Sequence, residues 1–313
     1  MPQHLAMMGG VDNDALAEVV LAGIALGLLR ILAAPHTNQP VTALPSEAAV
    51  PETNLDRRRW LVLGILMGIG FITKSTTYVS VGLLLVTFVL LWHETRHVIS
   101  LPRRVFEAGM LSLLIGSPWF ARDATTYGAT DILGLARHNA VVAGQPQTLQ
   151  LFPSYLAALP DFVQTLFRSF WGQFGWMGVI LDSRIYVLLF AFSVFALLGL
   201  VPFFVQARLT RAQIRQLFLL LAWIAFVLLS TIAYSLDFYQ AQGRYLFPAL
   251  GAIAIVMAMG VRGWLAAGEV LLARAPTLGH SLPWVGLLTF GFAAIVLDLV
   301  CLYRFIVPQL VVR

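Results

Sequence analysis

The chain has 313 residues, of which 59% are hydrophobic and 11% charged, and its mean hydropathy is +0.83. Soluble domains carry roughly a quarter charged residues, so this composition excludes an ordinary soluble enzyme and describes a chain built for lipid. The net charge of +5 gives no case for a nucleic-acid partner, because a positive excess is normal in membrane-protein loops. The single cysteine, Cys301, allows no intramolecular disulfide and no thiolate zinc site.

The first residues, MPQHLAMMGGVDND, are polar and lack a basic run before an apolar core, so no cleavable signal peptide is expected. A span of the hydrocarbon core takes roughly 20 apolar residues. Eight spans are predicted, at Ala15–Ala34, Trp60–Thr73, Thr76–Trp92, Phe106–Phe120, Ile185–Gln206, Leu217–Leu236, Leu246–Leu265 and Trp284–Tyr303. The fold class is therefore all-α, a polytopic transmembrane helix bundle of about eight spans, with residues 1–313 forming a single transmembrane domain. The second and fourth spans are short and must tilt, be shielded by neighbours or enter part-way. Both contain glycines at tight spacing or a Gly-Ser-Pro end, which suits close helix packing or a break lining a cavity.

Pro35–Arg59, rich in Pro, Thr and Asn, reads as a flexible loop ending in three arginines. His93–Val105, Ala207–Gln216 and Arg262–Pro283 are the other short basic connections, and with Arg30 this side holds twelve of the 20 Lys and Arg. Ala121–Arg184 reads as one long outer loop containing a re-entrant or amphipathic helix. The positive-inside rule places the short arginine-rich loops in the cytoplasm, and the long loop translocates largely regardless of its charge. The polar clusters VDND (Val11–Asp14), Thr73–Ser75, RDATTYG (Arg122–Gly128), SFWGQFGW (Ser169–Trp176) and QGRY (Gln242–Tyr245) then all fall on the outer face.

Those clusters hold the residues able to carry chemistry. Lys74 lies between two apolar segments, where a lysine needs a counter-ion or water; it is either functional or a lysine snorkelling from a hairpin turn. Arg244 follows Gly243, which permits close backbone approach, and a guanidinium forks onto phosphate with two parallel hydrogen bonds. Gln242 and Tyr239 can add uncharged donors, and Tyr245 can sit at headgroup level; the alternative is an ordinary interfacial anchor. Arg122 and Asp123 form either a local salt bridge closing a span or part of a site mouth. Asp12 and Asp14 flank Asn13 just before the first span and read as helix caps, or as holders of a hydroxyl or a cation. The aromatics of Ser169–Trp176 either lie in the interface or wall a groove for an isoprenoid chain or a sugar ring. Asp298 and Glu18 lie within spans without an obvious partner. The histidines show no metal-ligand spacing, and the chain has no Walker A loop, no GxGxxG after a strand and no GxSxG.

Taken in order, NDALAEVVLAGIALGLLR, GILMGIGFITKSTTY, GSPWFARDATTYGATDILGLARH, SFWGQFGWMGV and above all QGRYLFPAL resemble bacterial multi-spanning proteins of the GT-C glycosyltransferase superfamily. The relatives in view are its polyprenyl-phosphate-dependent transferases and an uncharacterised sister family with a similar QGRY signature. The resemblance covers nearly the whole chain. It implies a multi-pass protein of the bacterial inner (cytoplasmic) membrane with a site facing the outside. The site would take a sugar from a polyprenyl-phosphate carrier and pass it to an envelope glycan, lipid or protein acceptor. On it Lys74 and Arg244 match the basic, phosphate-side positions, with Gln242, Tyr245 and Arg122 beside them. The lipid-linked sugar is the expected donor, and a divalent metal is left open. Such enzymes carry further N-terminal spans and an acidic outer loop before the NDA-like segment, at about which this chain begins; Asp14, Asp123 and Asp12 stand as substitutes for the base. The alternative functions are a non-catalytic truncated membrane protein or assembly partner and, more weakly, a transporter, which the lack of inverted-repeat symmetry disfavours.

Overall fold

The computed structural model describes residues 1–8, 13–34, 53–92, 100–271 and 276–310. In lipid every backbone N–H and C=O must be satisfied internally, so long apolar runs fold as helices. The chain does so nearly throughout. Its elements begin with α1 (Pro2–Met8), α2 (Asp14–Ala33) and α3 (Thr53–Thr73), then a 3₁₀ turn at Ser75–Tyr78 and α4 (Val79–Trp92). Next come α5 (Ser100–Tyr127), α6 (Leu135–Val141), α7 (Thr148–Leu151) and α8 (Tyr155–Gly172). A hairpin follows, β1 (Gln173–Phe174) paired antiparallel with β2 (Val179–Ile180). After it run α9 (Ser183–Leu198), α10 (Leu200–Gln206), α11 (Arg211–Asp237), a 3₁₀ segment at Gly243–Ala249 and α12 (Leu250–Leu271). α13 (Pro276–Val300), a π-helical turn at Cys301–Ile306 and α14 (Val307–Leu310) complete it.

Six of these stretches are long and apolar enough to cross a membrane: Asp14–Ala33, Ser75–Trp92, Ser183–Gln206, Arg211–Asp237, Gly243–Leu271 and Leu288–Leu310. The other two expected spans lie inside α3 and α5, neither of which is among the six. The helices themselves run longer than those apolar spans, to 21 and 28 residues, because each continues through the arginines that precede its apolar part. The expected basic loops shrink accordingly. α3 begins at Thr53, α5 at Ser100 and α11 at Arg211, while α12 and α13 leave only residues 272–275 between them. Residues 35–52 and 93–99, with His93 and His97, lie outside the described residues. The long connection Ala121–Arg184 carries the expected amphipathic helix: its α8 shows an exposed apolar stripe of Leu156, Leu159 and Val163 at helical spacing.

The chain forms two compact units: Asn13–Gln145 with Leu209–Val227, and Met1–Asp12 with Pro146–Arg208 and Leu228–Arg313. In the first, α3 and α5 meet through glycines. A Cβ on Gly64 would lie 2.6 Å from the Ala108 carbonyl oxygen, and one on Gly68 would lie 2.6 Å from the Ile115 Cβ. This is the small-residue contact that lets membrane helices approach closely. The chain turns between α3 and α4, so that Gly70 faces Thr77 and the Phe71 and Tyr78 rings meet edge-on at 5.5 Å. At the end of α2, whose last carbonyls have no partner within the helix, Arg215 donates to the Leu32 oxygen at 2.9 Å and Gln216 to that of Leu29 at 3.0 Å.

In the second unit the expected span Ile185–Gln206 is broken at Gly199, where α9 gives way to α10. Pro202 has no N–H to offer the ladder there. A Cβ on Gly199 would lie 2.1 Å from the Gly260 oxygen, and one on Gly263 would lie 2.0 Å from the Gly199 oxygen, so α12 crosses this break almost backbone to backbone. Trp264 donates from its indole to the Phe195 carbonyl at 2.8 Å, an oxygen that also accepts from the Gly199 N–H at 3.0 Å. Cys301 is fully buried beside Phe174, Val179, Leu181 and Tyr186. The Tyr186 hydroxyl donates to the Gly172 carbonyl at 2.7 Å and accepts from the Leu181 N–H at 3.1 Å, tying the hairpin to α9.

Candidate functional site

In the first unit, the turn after α3 carries the predicted lysine. Lys74 adopts an extended backbone between α3 and the 3₁₀ turn, and its ammonium pairs with the Asp14 carboxylate. The counter-ion that a lysine at this depth requires is thus the first residue of α2. Asn13 makes the matching link, its side-chain amide donating to the Thr73 carbonyl at 3.1 Å. Asn13 has helical backbone angles and makes no side-chain cap, its amide being turned onto the α3 turn instead. Asp12 lies outside the described residues.

Asp123 is buried, at 4% exposure, and accepts from Arg122 Nη1 at 2.7 Å. The same Nη1 donates to the Tyr127 hydroxyl at 3.1 Å, and the guanidinium lies over the Trp119 and Tyr127 rings at 5.2 and 5.3 Å. Of the two readings of this pair, the local salt bridge is the geometry found. Beyond it, Asp131 accepts from the Arg137 and Ala136 N–H groups at 2.8 and 3.0 Å at the start of α6. Those backbone donors hold its carboxyl below the ordinary carboxylate value.

In the second unit, the QGRY segment opens a 3₁₀ helix whose first residue presses into α8. A Cβ on Gly243 would lie 2.1 Å from the Phe170 nitrogen, and the Gly243 N–H donates to Ser169 Oγ at 2.7 Å. Ser169 Oγ in turn donates to the Thr165 carbonyl at 2.6 Å. Glycine at this position is therefore a packing requirement, and it fixes the residue that follows. The Arg244 guanidinium lies 5.4 Å from the Tyr245 ring and 5.9 Å from that of Trp176. Trp176 stands at the hairpin tip, 91% exposed, in a run of three left-handed residues, Gly175, Trp176 and Met177. Two of those are not glycine, an uncommon backbone state that accompanies tight turns and strained functional loops. Arg244 Nε is buried without a hydrogen-bond partner among the described residues. Gln242 turns back on Gln240 at 2.7 Å, and Tyr245 packs edge-on to Tyr234 at 6.1 Å.

Nearby, Tyr239 donates its hydroxyl to Asp161 on α8. Burial, with Asp161 second, raises its phenol above the ordinary value. Tyr239 also borders a cleft of about 110 Å³ lined by Thr148, Tyr155, Phe162, Ile232 and Leu236, and nearly all of that lining is apolar. Asp161 escaped the sequence reading; its signal was a lone carboxylate in an otherwise apolar stretch of α8. Asp298 finds the chain's amino terminus at 3.9 Å. Among the described residues no group of three or more His, Cys, Asp or Glu could hold a metal ion.

The helices and their exposed apolar faces define an all-α, multi-pass membrane protein. No known family profile, curated protein or solved structure matches the chain.

Proposed function

We propose that the protein is a glycosyltransferase of GT-C type that uses a polyprenyl-phosphate sugar as donor and an envelope glycan, lipid or protein as acceptor, on the outer face of the bacterial inner membrane. The observation that carries this reading is Arg244. It is a guanidinium with no carboxylate partner among the described residues, its Nε is buried and unbonded, and its backbone is held by the Gly243–Ser169 contact. A polyprenyl phosphate gains negative charge as the bond between sugar C1 and phosphate oxygen breaks, and a cation fixed in advance stabilises that charge without reorganisation. Trp176 and Tyr245 frame the same guanidinium with rings suited to a sugar face or a prenyl chain, and the cleft beside Tyr239 offers further apolar lining.

Lys74, by contrast, is engaged by Asp14, and Arg122 by Asp123. The donor-phosphate role therefore rests on Arg244, with Gln242 and Tyr245 as its neighbours. The acceptor's proton requires a carboxylate within hydrogen-bond reach. Asp14 and Asp123 are both held by cations, and no residue is assigned that role. The test is transfer from a purified polyprenyl-phosphate sugar by protein reconstituted in lipid. Arg244→Ala is expected to abolish transfer, and Arg244→Lys to retain about a tenth or less, since a lysine cannot form the two parallel bonds. Full activity in Arg244→Ala would remove the assignment.

A further inference from the structure

The arginines before the apolar parts of α3 and α5 form a structure of their own, separate from the Arg244 site. Glu107 on α5 gathers three of them. It accepts from Arg103 Nε at 2.9 Å, from Arg57 Nε on α3 at 3.3 Å and from Arg104 Nη1 at 3.3 Å. One carboxylate thus orients three guanidiniums and leaves the group with excess positive charge. Arg57 and Arg103 each meet Glu107 through Nε, and their side chains are 51% and 73% exposed. Their terminal nitrogens are the forked donors that match phosphate oxygens. Arg58 and Arg59 are exposed beside them and have no carboxylate partner among the described residues.

The apolar surface that continues from this collar has the shape of the rest of a lipid. Arg103, Phe106, Met110 and Leu113 follow at spacings of three and four along α5, which puts them on one helix face. Phe106 is 67% exposed, and Met110 and Leu113 are exposed below it. A fixed cation at one end of an exposed apolar stripe complements an anionic headgroup and its acyl chain, whereas a soluble anion would use only the first. We propose that the collar of Arg57, Arg103 and Glu107 is a binding site for the phosphate of an anionic phospholipid, with one acyl chain lying along Phe106, Met110 and Leu113.

The site is tested on the full chain purified in a neutral detergent, by thermal unfolding during titration with short-chain phosphatidylglycerol, short-chain phosphatidylcholine or inorganic phosphate. Phosphatidylglycerol is expected to raise the midpoint saturably, and the other two to leave it in place. Arg57→Gln/Arg103→Gln is expected to weaken the phosphatidylglycerol response about thirtyfold, each surface arginine near an anionic headgroup contributing about fivefold. Arg184→Gln, an exposed arginine of the other unit, should leave it unchanged. If the double variant does not fold, Arg58→Gln/Arg59→Gln serves in its place and should weaken the response several-fold. An equal shift with phosphatidylcholine would overturn the headgroup assignment, and an equal shift with inorganic phosphate would overturn the lipid. An undiminished response in the arginine variants would overturn the site.

Discussion

At position 243 the absence of one methyl group decides whether the QGRY segment and α8 can meet. A Cβ there would stand 2.1 Å from the Phe170 nitrogen and 2.3 Å from its Cα, and backbone atoms cannot step aside as a flexible side chain can. Gly243→Ala is therefore expected to cost about 1–3 kcal/mol, the range for forcing extra volume into a packed contact, read as a lower unfolding midpoint in detergent. Ser169→Ala should cost about 1 kcal/mol, since it removes a hydrogen bond without adding bulk. An alanine at 243 as stable as the parent would mean that the contact is not made. The sequence offered this glycine as a means of close backbone approach, and that much was legible. What it approached was not, because Ser169 and Gly243 are 74 residues apart and nothing local couples them. Lys74 teaches the same lesson. Its need for a counter-ion follows from the cost of an ammonium at membrane depth, but the choice of Asp14 over Asp123 depends on how α2 meets the α3 turn.

Element boundaries show which forces the apolar pattern records and which it omits. Hydropathy marked the lipid-facing parts of α3 and α5 and stopped at their arginines, whereas helical hydrogen bonding continues through them. Charged residues with high helix propensity end an apolar run without ending a helix. The hairpin between α3 and α4 was legible from Lys74 in an otherwise apolar stretch. The break at Gly199 was not, since Gly and Pro are tolerated inside membrane helices and leave no fixed mark in the apolar pattern. The glycines at 64 and 68 were readable as a packing surface, and the contact they make is a test at this scale. Gly64→Ala would place its Cβ 2.6 Å from the Ala108 oxygen, while Gly109→Ala on the partner helix meets nothing within 4 Å. The first is expected to destabilise by about 1–3 kcal/mol. The second should be neutral or stabilising by up to about 1 kcal/mol, from the better helix propensity of alanine. Thermal unfolding of the two variants side by side distinguishes a specific α3–α5 contact from general intolerance of larger residues, which would lower both midpoints alike.

For the whole molecule, composition was enough to reveal a membrane protein, because 11% charge cannot dress the surface of a soluble chain of this length, and the repeated long apolar runs made it multi-pass and helical. The division into two compact units was not legible. It groups Met1–Asp12 with residues after Pro146, a long-range association that leaves no local pattern. Sidedness is the global property that the sequence argues and that experiment can decide. The arginines of α3, α5 and the start of α11 cluster at short connections, and the positive-inside rule assigns those to the cytoplasm. Asn139, on α6, and Thr210, just before α11, are both exposed and should then lie on opposite sides. With the lone Cys301 replaced by alanine, Asn139→Cys is expected to react with a membrane-impermeant maleimide in intact cells. Thr210→Cys and Arg58→Cys should react only after permeabilisation. The reverse pattern would turn the protein over and place the QGRY segment in the cytoplasm, where an outward-facing polyprenyl-phosphate donor could not reach it. Labelling of Asn139→Cys and Thr210→Cys from the same side would instead mean that Ser183–Gln206 does not cross the membrane, since it is the one long apolar stretch between them.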